Sequence, residues 1–207
     1  MNAIYSNGFV WWSEEEIEQR IAWVRILTSK IRSVFREINP AIGVFQVETP
    51  CLIPIVYSEL PVYSVGENYM LRPESTSGTY EVMNQLRLKL PVCLYQVNKS
   101  FRDEKSDAMI ISKCRLREFW QAEYQLFYSP DTKAEYHSLF IEKFKIGVPG
   151  EVHRPLNDFP SYSNRTTDIE IGGVEVASIS SREDYSVPVL EISFGLDRLL
   201  FLERQGK

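Results

Sequence analysis

The chain has 207 residues, of which 44% are hydrophobic and 25% are charged, a composition typical of a globular domain with its own core. A formal net charge of -5 at pH 7 argues against a protein that coats nucleic acid without sequence preference, because such a protein needs a basic face. No apolar run reaches the roughly 18 residues of a membrane span. The N-terminus also lacks a basic region followed by an apolar one, so we expect a cytoplasmic protein and no membrane partner.

Cysteine and histidine are too scarce and too scattered to favour a metal site. The cysteines are Cys51, Cys93 and Cys114, the histidines are His137 and His153, and no Cys-x-x-Cys pair occurs. A zinc site would need nearly all of these side chains at once. We therefore expect reduced thiols and no zinc.

The first predicted element is a long amphipathic helix. Ser13 offers a capping hydroxyl, and the three glutamates that follow it lie near the positive end of the helix dipole. Apolar residues then recur in steps of three and four over residues 17–38, and the helix is expected to end near residues 39–40. Residues 43–50 have strand composition and stop at a proline.

Strands and shorter helices alternate through the rest of the chain. Strands are predicted at residues 69–71, 92–101, 117–128, 167–171, 174–179 and 187–194, and helices at 76–90, 130–145 and 196–203. The strands at 92–101 and 117–128 flank the polar segment 103–114, which indicates an antiparallel hairpin with an extended tip. This order predicts one α+β domain over residues 1–207, built mainly on an antiparallel sheet.

A first group of charged residues suits a nucleotide. Residues 100–104 (Ser-Phe-Arg-Asp-Glu) are followed, after the polar segment, by residues 115–119 (Arg-Leu-Arg-Glu-Phe). Arginine forks bind phosphate through two hydrogen bonds, and an aromatic face can stack on a purine. The alternative is a solvated hairpin with cross-strand ion pairs.

A second group lies near the end of the chain, at residues 191–198 (Glu-Ile-Ser-Phe-Gly-Leu-Asp-Arg). Glu191 and Ser193 share one face of a strand because side chains alternate with a period of two. Gly195 permits a tight strand-to-helix turn or a close approach of a ligand. The alternative is a buried final strand followed by a capped helix.

The two groups in this order resemble motifs 2 and 3 of the class II aminoacyl-tRNA synthetases. Phe-Arg-x-Glu, a loop and Arg-x-x-x-Phe, within about residues 97–128, resemble motif 2, and Ser-Phe-Gly-Leu-Asp-Arg, within about 187–205, resembles motif 3. The helix and strand at about residues 13–50 resemble motif 1, the dimer-forming element. The resemblance implies the class II catalytic fold, a mainly antiparallel sheet flanked by helices, and a homodimer.

Within this class the chain is most similar to the glycyl type. Residues 71–76 (Leu-Arg-Pro-Glu-Ser-Thr) are similar to that family's Leu-Arg-Pro-Glu-Thr-Ala, and residues 115–119 to its Arg-Val-Arg-Glu-Phe. Residues 175–185 resemble its Glu-x-x-Gly-Ile-Ala-x-Arg-x-x-Tyr, with Ser178 in the place of the glycine, and residues 191–193 resemble its Glu-Pro-Ser. No segment resembling the family's anticodon-binding domain follows motif 3.

The resemblance implies roles for individual residues. The expected ATP-binding residues are Arg102, Asp103, Glu104, Arg115, Leu116, Phe119, Glu175, Val176 and Arg198. The expected amino-acid-binding residues are Glu74, Arg117, Glu123, Glu191 and Ser193. Arg102, at the α-phosphate, and Arg198, which covers one face of adenine while Phe119 covers the other, are the expected catalytic residues. Glu175 is the expected contact to Mg²⁺ carried by ATP.

The expected reaction joins ATP and a small amino acid, with glycine favoured, into an aminoacyl-adenylate. The acceptor is left open between the acceptor end of tRNA, a carrier protein and a small molecule. A catalytically inactive paralogue that serves as a binding or regulatory subunit is the alternative, and it predicts loss of the ATP-binding residues. Those residues are present. A pocket with three carboxylates suits a very small substrate with a cationic head.

Overall fold

The structure is a computed structural model that describes residues 10–55, 60–105, 114–132 and 135–206. The elements in chain order are α1 (Glu14–Ile38), β1 (Gly43–Gln46), β2 (Leu52–Pro54), β3 (Tyr63–Val65), β4 (Tyr69–Leu71), α2 (Thr76–Leu86), β5 (Val92–Phe101), β6 (Glu118–Phe127), α3 (Tyr136–Lys143), β7 (Glu151–Pro155), β8 (Ser163–Ile171), β9 (Val174–Arg182), β10 (Val189–Gly195) and α4 (Leu196–Arg204). No helix in these ranges is both long enough and apolar enough to span a membrane.

Seven strands form one large sheet in the order β1-β5-β6-β10-β9-β8-β7, and β2-β4-β3 form a separate small sheet. In the large sheet only β1 and β5 run parallel, and the other neighbouring pairs are antiparallel. The predicted hairpin is present, since β5 and β6 pair along their whole length. Its tip, residues 106–113, lies outside the described residues. The mainly antiparallel α+β architecture predicted from the sequence is confirmed.

Helix α1 begins where the capping pattern predicted. The Glu16 N–H donates to Ser13 Oγ at 3.3 Å, and the Ser13 N–H donates to Glu16 Oε2 at 2.7 Å, which closes a capping box. Further along, Leu27 and Phe35 are fully buried. The rings of Phe35 and Phe140 lie 5.6 Å apart, so α1 packs against α3. Each such buried side chain stabilises the fold by about 1.5–3 kcal/mol.

Two helices are shorter than the sequence pattern suggested. Helix α2 stops at Leu86 because Arg87 adopts a left-handed conformation (φ 48°, ψ 49°), and its N–H closes back on Asn84 O and Met83 O. Helix α3 begins only at Tyr136. Strand β8, in contrast, begins earlier than predicted, at Ser163. The polar side chains at the start of β8 find hydrogen-bond partners within the sheet. The hydroxyls of Ser163, Thr166 and Ser180 form a chain of hydrogen bonds at 3.1 and 3.0 Å.

The two faces of the large sheet have opposite character. One face carries two polar rows that cross neighbouring strands in register, Glu123-Ser193-Ser178-Asp168 and Gln125-Glu191-Ser180-Thr166. The other face carries the fully buried row Tyr124-Ile192-Ile179, and the Thr28 and Tyr124 hydroxyls of α1 and β6 bond at 2.6 Å there. Because side chains alternate along a strand, the register that buries the apolar row also assembles the polar rows.

Arg72 fixes the turn that precedes α2. It is 2% exposed, and its guanidinium donates to Lys99 O at 3.2 Å, to Thr49 O at 3.1 Å and to Gln96 Oε1 at 3.2 Å. Five N–H groups in one rigid plane suit such a cluster of oxygens. The bonds hold residues 72–76, and with them Glu74, against β5.

Candidate active site

A cleft of about 200 Å³ opens where the first residues of β6 and β9 meet the end of β10. The expected ATP-binding residues that line it are Arg102, Glu104, Arg115, Leu116, Phe119, Glu175, Val176 and Arg198. Of the expected amino-acid-binding residues, Ser193 lines it. Three segments distant in the sequence are thus brought to one surface by the sheet.

The arginines that line the cleft differ in whether their guanidinium groups form ion pairs. Arg115 Nη2 donates to both oxygens of Glu104, at 2.8 and 3.0 Å, and Arg198 pairs with Glu175 at 3.0 Å. Arg102 forms no ion pair within the described ranges, and its guanidinium carbon lies 5.2 Å from the centre of the Phe119 ring. Its charge is therefore available to an anion such as a phosphate.

The strand-to-helix turn at Gly195 shapes one wall of the cleft. A Cβ atom at this position would lie 3.2 Å from Cδ of Arg198, so the glycine lets the arginine side chain pack closely over the turn. Asp197 is 3% exposed, and its Oδ2 accepts a hydrogen bond from the Trp120 N–H at 2.8 Å. Burial raises the pKa of Asp197 to about 6. The carboxylate ties the start of α4 to the start of β6.

Asp103 and Arg117, both expected in the site, do not line the cleft. The Asp103 N–H donates to Pro61 O at 3.1 Å, which joins β5 to the segment before β3. Arg117 Nε donates to Glu104 O at 3.0 Å. In the structure these two residues hold the backbone that carries Glu104.

A cluster of buried carboxylates lies beside the cleft. Glu123 is 2% exposed and Glu191 is 7% exposed, and Glu74 lies next to them on the turn before α2. The cation at the centre is Arg182, whose Nη1 donates to Glu74 Oε1 at 2.7 Å and to Glu191 Oε2 at 2.8 Å. Its other two nitrogens donate to Asp184 at 3.1 and 2.7 Å.

Arg182 lies within residues 175–185, which resemble the glycyl family, but that resemblance implied no role for it. Its acceptors come from the turn before α2, from β10 and from the residues after β9, so no sequence spacing reveals them. Its guanidinium also lies 4.2 Å from the ring centre of Tyr162 and 5.2 Å from that of Tyr185. The two aromatic faces favour the cation further.

Glu123 stands apart from this cation. Its Oε2 accepts from the Ser75 N–H at 2.6 Å, and its Oε1 accepts from the Ser193 hydroxyl at 3.4 Å. No ion pair to Glu123 is formed in the part of the chain that the structure describes. Since Ser193 also lines the cleft, Glu123 is the carboxylate through which the cluster meets the arginine-lined cleft.

The cluster contains more carboxyl groups than cations among the described residues. Burial, followed by the charge of Glu191, raises the pKa of Glu74 to about 7. The same two causes raise the pKa of Glu123. Three carboxylates (Glu74, Asp184 and Glu191) pair with the guanidinium of Arg182, and Glu123 is a fourth carboxylate, close enough to feel the charge of Glu191. A second cation, such as an α-ammonium group, would relieve this imbalance.

Two further carboxyl groups, those of Asp168 and Glu175, lie near the other end of the first polar row. Glu175 lines the cleft, and burial and the charge of Glu175 raise the pKa of the neighbouring Asp168 to about 6. The Ser178 side chain hydrogen-bonds Asp168. The described residues contain no group of three or more potential ligands. One or two carboxylates fit a magnesium ion that arrives with substrate phosphates.

Comparison with known proteins gives the family. The model of the tRNA synthetase class II core domain (G, H, P, S and T) matches residues 62–194. The chain belongs to this family. Over 135 residues it is 36% identical to the glycine–tRNA ligase of Macrococcus caseolyticus, an alignment that covers 56% of this chain and 29% of that protein. Over 167 residues it is 30% identical to that of Bifidobacterium longum, covering 71% and 34%. The chain thus spans at most about a third of these relatives.

Solved structures share the class II synthetase fold. Prolyl-tRNA synthetase of Giardia lamblia, in complex with prolyl-adenylate, superimposes with a TM-score of 0.66 at 14% identity, over 93% of this chain and 47% of that one. Pyrrolysyl-tRNA synthetase of Desulfitobacterium hafniense gives 0.62 at 18% identity, over 90% and 70%. At these identities the likeness concerns the fold, and it confirms the predicted fold class.

The charge imbalance makes stability depend on pH. A carboxyl whose pKa is about 7 when folded, against 4.5 when unperturbed, contributes stability that is full below pH 4.5 and lost as the pH rises through 7. Glu74→Gln removes this titration. Relative to the wild type, the variant should therefore gain about 1–2 kcal/mol in free energy of unfolding between pH 5 and pH 8.

Urea denaturation across this pH range measures the difference. Glu18→Gln, at an exposed position of α1, is the matched control and should follow the wild type at every pH. A Glu74→Gln variant whose stability changes with pH in parallel with the wild type would show that Glu74 ionises normally.

Proposed function

We propose that the chain activates a small amino acid, glycine in preference, by reaction with ATP to give an aminoacyl-adenylate and pyrophosphate. One observation carries the proposal. The buried cluster around Arg182 holds more carboxyl groups than cations, the adjoining cleft contains Arg102, whose guanidinium forms no ion pair among the described residues, and Ser193 touches both. A molecule with an ammonium at one end and a phosphate at the other matches this order of charges.

The adenylation step needs positioning and charge stabilisation. A carboxylate oxygen of the amino acid attacks the α-phosphorus, the new O–P bond forms, and the bond to the bridging oxygen breaks, so that pyrophosphate leaves with the electron pair. Arg102 would hold the α-phosphate oxygens, on which charge develops. No protein nucleophile takes part, because fixing the two substrates in line supplies much of the rate.

The purine would bind at the other end of the cleft. The Phe119 ring and the Arg198 side chain both line it, and they are proposed to cover the two faces of adenine. The Glu104–Arg115 pair would fix the base and the ribose-phosphate end. When Mg²⁺ is bound, it neutralises phosphate charge, and Glu175 is the residue that would hold it through ATP.

Preference for glycine is supported by the surroundings of the carboxylates. Ser193 stands in register between Glu123 and Ser178, where a side chain on the substrate's α-carbon would meet the sheet. Ser178, which replaces the family's glycine, turns its hydroxyl to Asp168. One methyl group on a substrate shifts discrimination by about tenfold or more.

The acceptor of the activated amino acid is proposed to be the acceptor end of tRNA, as the names of the ligase relatives suggest. A carrier protein or small molecule is the alternative acceptor. An inactive paralogue would not need the ATP-binding side chains, yet eight of them line a single cleft. Their assembly favours a ligase.

Exchange of labelled pyrophosphate into ATP tests the reaction directly. We expect exchange that depends on glycine and is at least about tenfold slower with alanine. Arg102→Ala should abolish exchange, because the α-phosphate loses its cation, whereas Phe119→Ala should chiefly raise KM for ATP. Arg25→Ala, at an exposed position of α1, is the control for loss of an arginine.

Two other results would redirect the proposal. No heat of ATP binding at millimolar concentration in calorimetry would contradict the ligase and favour the inactive paralogue. Glycine-dependent exchange without transfer to tRNA would favour a carrier protein or small molecule as acceptor.

A homodimer is part of the proposal. Several apolar side chains near the motif 1 strand face solvent, namely Phe45 (57% exposed), Leu52 (48%), Ile55 (50%) and Tyr69 (50%). Large apolar side chains left exposed in one region of a chain favour contact with a partner. Light scattering at micromolar concentration should give a dimer mass, and Phe45→Asp should shift it to the monomer. Leu86→Asp, at an exposed position of α2, should leave the dimer intact, and a monomeric wild-type protein would contradict this part.

A further inference from the structure

Helix α1 contacts α4 through a row of three side chains with polar contacts, which we call the polar stripe. The contacts are Glu16 with Arg204, Arg20 with Asp197 at 3.5 Å, and Trp23 with Glu203 at 3.0 Å. Steps of four and three residues place these three α1 side chains on one face of the helix. Their partners on α4 lie in its first turn, for Arg20, and in its last turn, for Glu16 and Trp23.

Arg20 is the buried member of this stripe. It is 9% exposed, and its guanidinium carbon lies 4.6 Å from the centre of the Trp120 ring. Trp120 and Asp197 both line the nucleotide cleft, and they are hydrogen-bonded to each other. Arg20 thus lies directly behind the cleft wall, although its backbone belongs to α1.

Arg20 is the cation that contacts Asp197 directly. The other nearby cation, Lys99 of β5, is engaged by Glu118. Without Arg20, the 3% exposed Asp197 would be left as a buried charge without its partner, and Trp120 would lose the guanidinium over its ring. Both changes would loosen the residues next to Phe119 and Arg198.

We propose that Arg20 is a positioning residue for the nucleotide, which couples α1 to the cleft by holding Asp197 and Trp120 in place. The inference rests on the proposed ATP-dependent function. It assigns motif 1 a role inside its own subunit: the helix proposed to be near the dimer contact also braces the wall on which the purine binds.

The test compares Arg20→Met, which keeps an unbranched apolar stem and removes the charge, with Arg20→Lys, which keeps the charge. Trp23→Phe is the matched control, because it removes a contact of the same stripe away from the cleft. For Arg20→Met we expect Kd and KM for ATP to rise about fivefold or more, with kcat of pyrophosphate exchange within about twofold of the wild type. Arg20→Lys should recover most of the affinity, and Trp23→Phe should match the wild type.

Several outcomes would overturn the inference. Unchanged ATP affinity in Arg20→Met would do so, and so would an equal loss in Trp23→Phe. A lower kcat and melting temperature with KM unchanged would show a purely structural role. If Arg20→Met does not fold, Arg20→Gln, which also removes the charge but keeps a polar side chain, decides: a raised KM in a variant of unchanged melting temperature supports coupling, and an unaltered KM refutes it. A wild-type protein that does not bind ATP would refute the proposed function itself, which separates the two failures.

Discussion

A buried carboxylate must find a cation or bind a proton, and this constraint organises the site. Glu74, from the turn before α2, and Glu191, from β10, both pair with the guanidinium of Arg182, and Glu123 of β6 lies near Glu191. Asp184 accepts from the other two nitrogens of the same group, so within the described residues the cluster holds more carboxyl groups than cations. In the proposed function, a small cation completes the cluster.

The sheet places most of these charged groups on one face. Antiparallel register sets polar side chains opposite one another on one face while Tyr124 and Ile192 are buried on the other. The register that buries the apolar core therefore also sets the spacing of the charged groups, because most of them lie on strands. At the rim, the turn at Gly195 adds Arg198, and α1 braces the wall through Arg20. In the proposed function, the amine and the phosphate bind at two ends of one rigid surface.

Local patterns allowed much of this to be predicted from the sequence. The capping residues of α1, the strands that flank the polar loop and the spacing of Glu191 and Ser193 each depend on near neighbours in the chain, and each was found as predicted. The roles of Arg182, Asp168 and Arg20 were not predictable in this way. Their partners come from other elements, and only the tertiary register brings them together. The placement of Asp103 and Arg117 outside the cleft likewise follows from the backbone path between the two sheets.

The most direct test of the account is a crystal structure of the chain with a non-hydrolysable glycyl-adenylate analogue. The account predicts that the amine lies within about 3.2 Å of the Glu123 carboxylate and that the purine lies between Phe119 and Arg198. It also predicts that the Arg182 pairs with Glu74 and Glu191 are retained. An amine that avoids the carboxylate cluster, or a purine bound outside the cleft, would contradict it.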